Sequence, residues 1–455
     1  MASTTTQPAP SSNGTRDPRG NFPSILPPLF FAALFFLCCA DTVFTTRIHG
    51  YNFRWGQLLL LGAALLSAGL LTRRGLSPSQ KRGLLKQIGL AWLPFALSYF
   101  AGACLSTHPE LGLLKWGWAL FNIGGAALVV LGGVWPSDVR KGFRWAILFL
   151  AAWVLLQSLC LFVFPGFFQV TGGFLISKSF ALTAHPFGLN LPMGIGQFIA
   201  NWGQASIYRP CVLYYEPNYL SGALALSLPL LILQDKATFW YSGWAPGLIV
   251  TAVVLTTSRG GILGCGFALA ILGAASLLGP LKEKRVLLLK TVLFAGMGLG
   301  LFLLSPGERH FLDYLSGPLG PAAIQEHALT PHTSEGDRLL GFIQGVKTVL
   351  EHPLLGQGYQ PIAGSSGMAP GSLNTWIEIG LESGFLGLLG FVFAVLWTIR
   401  TAIPWPPEKG TLVLLLTAWT VLFGINYNLS SNFPRLDFWL LFFYAVLLAR
   451  TAASE

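Results

Sequence analysis

The stretch LTTSRGGILG, residues 255–264, sets one arginine between two apolar segments. Ser258 is a helix-capping residue type, and Gly260 and Gly261 admit close backbone approach. The helix N-terminus that follows presents unpaired N–H groups. Arg259 adds a guanidinium fork that matches two phosphate oxygens at once. That combination suits an anion. The same arginine also suits an interfacial anchor reaching toward lipid headgroups, and both readings stay open. A second stretch, YRPCVLYYEPNYLSGALAL at 208–226, starts a helix near Glu216, because Pro217 fits a first turn whose N–H groups are unpaired anyway. Arg209 precedes it by a short extended segment. Glu216 either pairs with an arginine or acts as a base on a hydroxyl group. Asn218 is a capping or hydrogen-bonding residue in both cases.

Two later stretches add charge. In SEGDRLLGFIQGVKTVLEHPLLGQGY, residues 334–359, Ser334 with Asp337 resembles a capping box. Leu339, Phe342, Ile343, Val346, Val349 and Leu350 recur at helical spacing, and HPLLGQG stops the helix. This spacing predicts an amphipathic helix resting on the membrane surface or on the rest of the protein. Arg338 lies in its first turn, either solvated or turned to a ligand, with Gly341 and Gly345 following on its side. His332 shares the loop, and His352 sits in the helix-stopping turn. In GSLNTWIEIGLESGFLGLLG, residues 371–390, Asn374, Glu378 and Glu382 are four apart and share one helix face. Carboxylates entering a membrane helix are costly and face a cavity or a partner.

The elements that must position these groups are hydrophobic helices. Of 455 residues, 53% are hydrophobic and only 10% charged, with a mean hydropathy of +0.61; a soluble domain carries roughly 25% charged residues. The chain is expected to be an all-α polytopic membrane protein. Segments of about 17–25 apolar residues number about twelve: 26–45, 56–72, 87–105, 112–134, 143–164, 213–234, 244–257, 260–280, 286–304, 382–399, 411–426 and 436–450. Residues 1–25, rich in Ser, Thr, Pro and Gly, read as a disordered cytoplasmic tail. The net charge of +10 reflects topology rather than nucleic-acid binding. Arg73, Arg74, Lys81, Arg82 and Lys86, then Arg140, Lys141 and Arg144, then Lys282, Lys284, Arg285 and Lys290, then Arg400 and Lys409 each follow an even-numbered span. This places both termini in the cytoplasm. Two long loops then face outward, 165–212 within the first helical block (26–304) and 305–373 before the second (374–455). Long loops that keep aromatic residues are functional rather than disordered. Six cysteines in or beside apolar segments show no metal spacing and read as packing residues.

Arg209, Arg259, Arg338 and several helix N-termini thus converge on the outward side. There is no phosphate-binding glycine loop, no dinucleotide fingerprint and no metal-ligand cluster. The simplest ligand is a lipid pyrophosphate at the outer leaflet. Arginines would stabilise it as a leaving group while a base deprotonates an acceptor hydroxyl. That is glycosyl transfer without a nucleotide sugar, a metal or a cofactor.

At residue level the chain resembles the O-antigen ligase and Wzy-type O-antigen polymerase superfamily. The resemblance rests on Arg209 with EPN at 216–218, TTSRGG at 256–261, Arg338 with HPLLGQG at 352–358, and LNTWIEIGLESGFLG at 373–387. It implies an undecaprenyl-pyrophosphate-linked glycan as donor, with Arg209 and Arg259, aided by Ser258 and Asn218, on the pyrophosphate. Glu216, Arg338 and His332 would be catalytic, and Asn374, Glu378 and His352 would be further substrate contacts. It also implies a bacterial inner membrane, an active site facing the periplasm, membrane lipid around it, and a chain-length regulator and a flippase as partners. One position departs from the family pattern: Leu373 stands where ligases place a histidine. Glu216, Glu378, His332 and His352 are the groups that could substitute. The departure favours a polymerase extending an exopolysaccharide, capsule or O-antigen over a ligase transferring glycan to lipid A-core or another acceptor. A transporter of lipid-linked sugar would call for internal repeats and mid-membrane charges, and a non-catalytic membrane scaffold comes last.

Overall fold

The computed structural model describes residues 26–39, 45–48, 51–54, 60–64, 78–132, 136–163, 181–184, 189–192, 196–202, 205–212, 217–234, 243–256, 258–303, 334–359, 374–402, 409–426 and 435–452. Helix α1 (Leu26–Cys39) leads to strands β1 (Thr45–Ile48) and β2 (Tyr51–Arg54), then to α2 (Pro78–Leu105), α3 (Pro109–Gly132) and α4 (Pro136–Val163). Strands β3 (Ala181–Ala184), β4 (Leu189–Pro192), β5 (Gly196–Trp202) and β6 (Ala205–Val212) precede α5 (Pro217–Gln234), α6 (Trp244–Leu255), α7 (Arg259–Leu278) and α8 (Arg285–Leu303). Next come α9 (Ser334–Glu351), α10 (Thr375–Ala402), α11 (Lys409–Trp419) with a π-helical continuation at Thr420–Asn426, and α12 (Leu436–Ala452). Helical backbone falls within every expected span. Four stretches are long and apolar enough to cross a membrane: Leu85–Leu105, Pro109–Leu131, Gly260–Leu278 and Thr375–Thr401. Pro27–Phe36, Asn218–Ile232, Trp244–Leu255, Lys409–Ile425 and Leu436–Ala449 are shorter apolar helices.

Two helices form the interior. From Leu220 to Ile232, α5 is buried on all sides, and so is α12 from Leu436 to Ala449. An aromatic cluster joins α12 to its neighbours: the Trp439 ring lies 5.3 Å from Trp92 of α2 and 6.0 Å from Phe391 of α10. The outer helices turn Leu90, Leu93 and Leu97 (α2), Leu289, Leu293 and Met297 (α8), and Leu386, Leu389 and Leu396 (α10) outward. Helices apolar on both faces belong in lipid. Their hydroxyls are satisfied within the helix: Ser227, Thr251, Thr291 and Thr417 each donate to the carbonyl four residues back. Small residues set the close crossings. Ser221 and Ala225 of α5 meet Gly261 and Gly264 of α7, and Gly247 and Thr251 of α6 meet Phe294 and Gly298 of α8.

The expected all-α architecture describes the helical body, and short strands outside the helices add to it. β1 pairs antiparallel with β2 and with β4, Thr45 opposite Asn190, so the segment after α1 and the first long loop lie at the same end of the molecule. β5 and β6 form a hairpin with Phe198 opposite Arg209. Phe198, Ile199, Ile207 and Tyr208 are strand-favouring types. Helix α9 is the amphipathic helix expected in the second loop. It packs on α10, with Val349 against Gly380, and leaves Phe342, Ile343, Val346 and Leu350 exposed.

Candidate functional site

The N-termini of α5, α7 and α12 meet at one corner. Ser258 caps α7, its Oγ accepting from the Gly261 N–H at 3.3 Å, and donates to Asn218 Oδ1 of α5 at 2.9 Å. Ser258 is fully buried, and Thr256 Oγ1 accepts from its N–H. Ser221 Oγ donates to the Asn218 carbonyl, which fixes the first turn of α5. Next to Asn218, the Tyr219 ring is covered by the Arg435 guanidinium, 4.2 Å from its centroid. Arg435 in turn donates two hydrogen bonds to Asp437 in the first turn of α12, both 3.1 Å. Arg435 is 3% and Asp437 1% exposed, so this is a buried, paired charge of fork geometry. The corner gathers three helix N-termini, whose partial positive charge favours an anion. Arg259 is the first residue of α7. The Arg209 backbone lies in β6, which runs alongside α5.

A second corner lies where α2, α3 and α10 meet. Lys115 of α3 reaches Glu378 Oε1 at 2.8 Å and makes a closer contact with Glu382 Oε1. Tyr99 of α2 donates to Glu382 Oε2 at 2.6 Å, and the Tyr359 ring covers the Lys115 ammonium 5.1 Å away. Lys115 and Glu382 are each 6% exposed. The shared face expected for Asn374, Glu378 and Glu382 is present: Asn374 Oδ1 caps α10 by accepting from the Ile377 N–H, and the two carboxylates meet one lysine. The helix is also broken at Gly384. Gly384 has φ 65° and ψ −169°, a conformation few residues besides glycine adopt. The segment after α9 fills the break: the Phe385 and Leu386 N–H groups donate to the Pro353 and Leu354 carbonyls, and the Gln357 N–H donates to the Leu381 carbonyl.

The two corners are mechanically joined. Trp376, in the first turn of α10, donates from Nε1 to the Phe423 carbonyl in the π-helical segment. Val421 and Ile425 of that segment lie against Gly264 of α7. π-helical turns concentrate at functional sites.

Of the residues singled out by sequence, Asn218 with Ser258, and Glu378 with Asn374, are brought together. Arg259 and Arg338 occupy the first turns of α7 and α9, and Arg209 sits in β6; their side chains lie outside the description. Glu216, His332 and Leu373 fall outside the described residues. His352 is exposed in the turn that ends α9, its N–H donating to the Thr348 carbonyl, in keeping with a structural role. Among the described residues no group of three His, Cys, Asp or Glu is arranged to hold a metal ion.

Sequence reasoning missed Lys115, Tyr359 and the Arg435–Asp437 pair. A signal existed for Lys115 and for the pair. Lys115 is a lone cation in the otherwise apolar LLKWGWAL, and Arg435 and Asp437 frame the start of the last span in PRLDFW. Ionisable residues at such positions mark sites and pair with one another.

Residues 245–392 match the family model described as O-antigen ligase. No curated protein matches the chain. The matched stretch holds Ser258, Arg259, Arg338, Glu378 and Glu382, and it runs through α6, α7, α8, α9 and the break in α10. Apolar helices and this similarity together point to an integral membrane protein. The similarity to O-antigen ligase is confined to residues 245–392, about a third of the chain.

Proposed function

We propose that this protein polymerises lipid-pyrophosphate-linked oligosaccharide repeats at the outer face of a bacterial inner membrane. The matched domain supports lipid-linked glycan transfer at family level. The observation that carries the finer reading is the Ser258–Asn218 hydrogen bond, which ties two helix N-termini together with Arg259 at the start of one of them. Such a pair is a ready anion site. In the reaction, an acceptor hydroxyl attacks the anomeric carbon of the donor sugar. The bond from that carbon to the pyrophosphate oxygen breaks, and the lipid pyrophosphate leaves. Arg209 and Arg259 stabilise the leaving charge, with Arg338 nearby. Glu216, directly before Pro217 and two residues from Asn218, is the favoured base and takes the hydroxyl proton. Glu378 is already engaged by Lys115, so it fits that role less well.

The description of the matched family favours a second reading, transfer of the finished glycan to lipid A-core or another acceptor. Leu373 at the ligase histidine position supports the first. The test uses purified protein in liposomes with a lipid-pyrophosphate-linked repeat as sole substrate, products separated by size. A ladder of lipid-linked oligomers is expected. Transfer only after lipid A-core is added would select the ligase reading, and no reaction in either arm would overturn both. Glu216→Gln should shorten or abolish the ladder; wild-type length would remove Glu216 from the chemistry.

A further inference from the structure

We infer that Lys115 is a positioning residue: it pins residues 353–359 into the break of α10 and so holds α9, the carrier of Arg338, against the bundle. Its catalytic consequence rests on the role proposed for Arg338; the pinning rests on geometry alone.

The break at Gly384 leaves the Leu381 carbonyl and the Phe385 and Leu386 N–H groups without partners inside α10. In an apolar surrounding each unpaired backbone group costs free energy. Pro353, Leu354 and Gln357 supply the three missing partners from outside the helix. A Cβ at Gly384 would collide with the Leu354 backbone, and one at Gly358 with the Gly102 carbonyl, so both glycines are required for this approach. Ser106, directly after α2, then fixes the end of the segment by donating from Oγ to the Tyr359 carbonyl. Nothing in this backbone exchange calls for a cation, yet Lys115 stands at its centre. Its ammonium holds Glu378 and Glu382 on the turns just before the break and lies under the Tyr359 ring just after the inserted segment. One charge thus joins α3, α10 and the end of the outer loop.

The lever is long. Only His352 separates α9 from the inserted segment. Arg338 lies thirteen residues before Glu351, about 20 Å along a helix rising about 1.5 Å per residue. A tilt of about 10° at the pinned end would move the Arg338 end by about 3 Å, and misplacement by about 1 Å costs on the order of a hundredfold in rate.

The experiment is hydrogen exchange on the full chain in lipid nanodiscs, comparing wild type with Lys115→Met and Gly384→Ala. The Gln357, Phe385 and Leu386 amides are expected to exchange at least tenfold faster in both variants, with α5 and α12 unchanged. Unchanged exchange at those amides overturns the pinning. If Lys115→Met fails to fold, the charge-balanced double variant Lys115→Met with Glu382→Gln carries the same test. In the liposome assay the variants should lose about tenfold or more in kcat with KM little changed, and adding Arg338→Ala should cause no further loss. Additive losses overturn the positioning role. A wild-type rate in Arg338→Ala would remove Arg338 from the chemistry and the catalytic half of this inference with it. Faster exchange with normal kcat would overturn that half alone.

Discussion

The two corners solve the problem of polar groups in a membrane protein in opposite ways. At the start of α5, α7 and α12 the scaffold is built from neutral groups, Ser258, Asn218, Ser221 and Thr256, and its one described charge pair is turned inward as Arg435 with Asp437. At α2, α3 and α10 the scaffold is itself ionic, two carboxylates closing on Lys115. A corner that is to receive an anion gains from helix N-termini and fork-shaped cations, and it loses by holding carboxylates that compete for them. A corner that must hold a broken helix and a loop end together gains from charges that satisfy one another. The contrast supports the proposal of ligand binding at the first corner and fixation at the second.

The largest expected effect tests whether Arg435 belongs to the scaffold. Arg435→Ala leaves Asp437 buried without its fork, which should cost about 3–5 kcal/mol, whereas replacing both members by neutral residues of similar size should be close to neutral. Thermal unfolding in detergent is expected to show a large fall for the single variant and recovery for Arg435→Met with Asp437→Asn. If the recovered double variant also makes no polymer, Arg435 acts on the ligand itself and the division between corners fails on that side.

Arg259→Ala should behave in the reverse manner. Its unfolding midpoint should stay near wild type while transfer falls about 10²–10³-fold, the usual cost of removing one donor to a developing oxyanion. Arg259→Lys should recover only part of the rate, because an ammonium lacks the planar fork. Full activity in Arg259→Ala would leave the anchor reading, in which the side chain reaches lipid headgroups.

Much of this contrast was legible in the sequence, and the reasons differ by residue. Capping is local, so Ser258 before RGG announces a helix start that the structure contains. Periodicity is local too, and it put Glu378 and Glu382 on one face. Pairing across the fold is not local. Lys115 lies 263 residues from Glu378, and nothing in LLKWGWAL names its partner. The glycines of HPLLGQG read as a helix stop, which they are, but their use in repairing the break at Gly384 depends on a helix that begins only at Thr375. The strands of the first outward loop escaped because runs such as GQFIANW are short and lie between spans whose hydrophobicity dominates any reading of the chain.

A smaller effect sharpens the comparison at a single atom. Asn218→Asp keeps the shape and leaves an oxygen to accept from Ser258 Oγ, so the join between α5 and α7 survives. It adds one negative charge at the corner proposed to bind pyrophosphate. Transfer should fall about tenfold, mainly through KM, because a like charge near a phosphate costs on the order of 1–2 kcal/mol when partly screened. An unchanged KM would show that the anion sits elsewhere.

Ser258→Ala should have the smallest effect and separates cap from ligand. It removes the acceptor of the Gly261 N–H and the donor to Asn218 at once. Loss of an N-cap costs about 1 kcal/mol, and the hydrogen bond to Asn218 about as much again. A stability loss of that size with transfer reduced only a few fold would mean that Ser258 shapes the corner without touching the ligand. A second copy of the change made with Asn218→Ala should then add little, since the two side chains share one bond and coupled partners do not sum. If instead Ser258→Ala removes transfer as thoroughly as Arg259→Ala while the protein stays folded, its hydroxyl is itself a phosphate ligand, and the neutral scaffold of this corner is part of the binding surface.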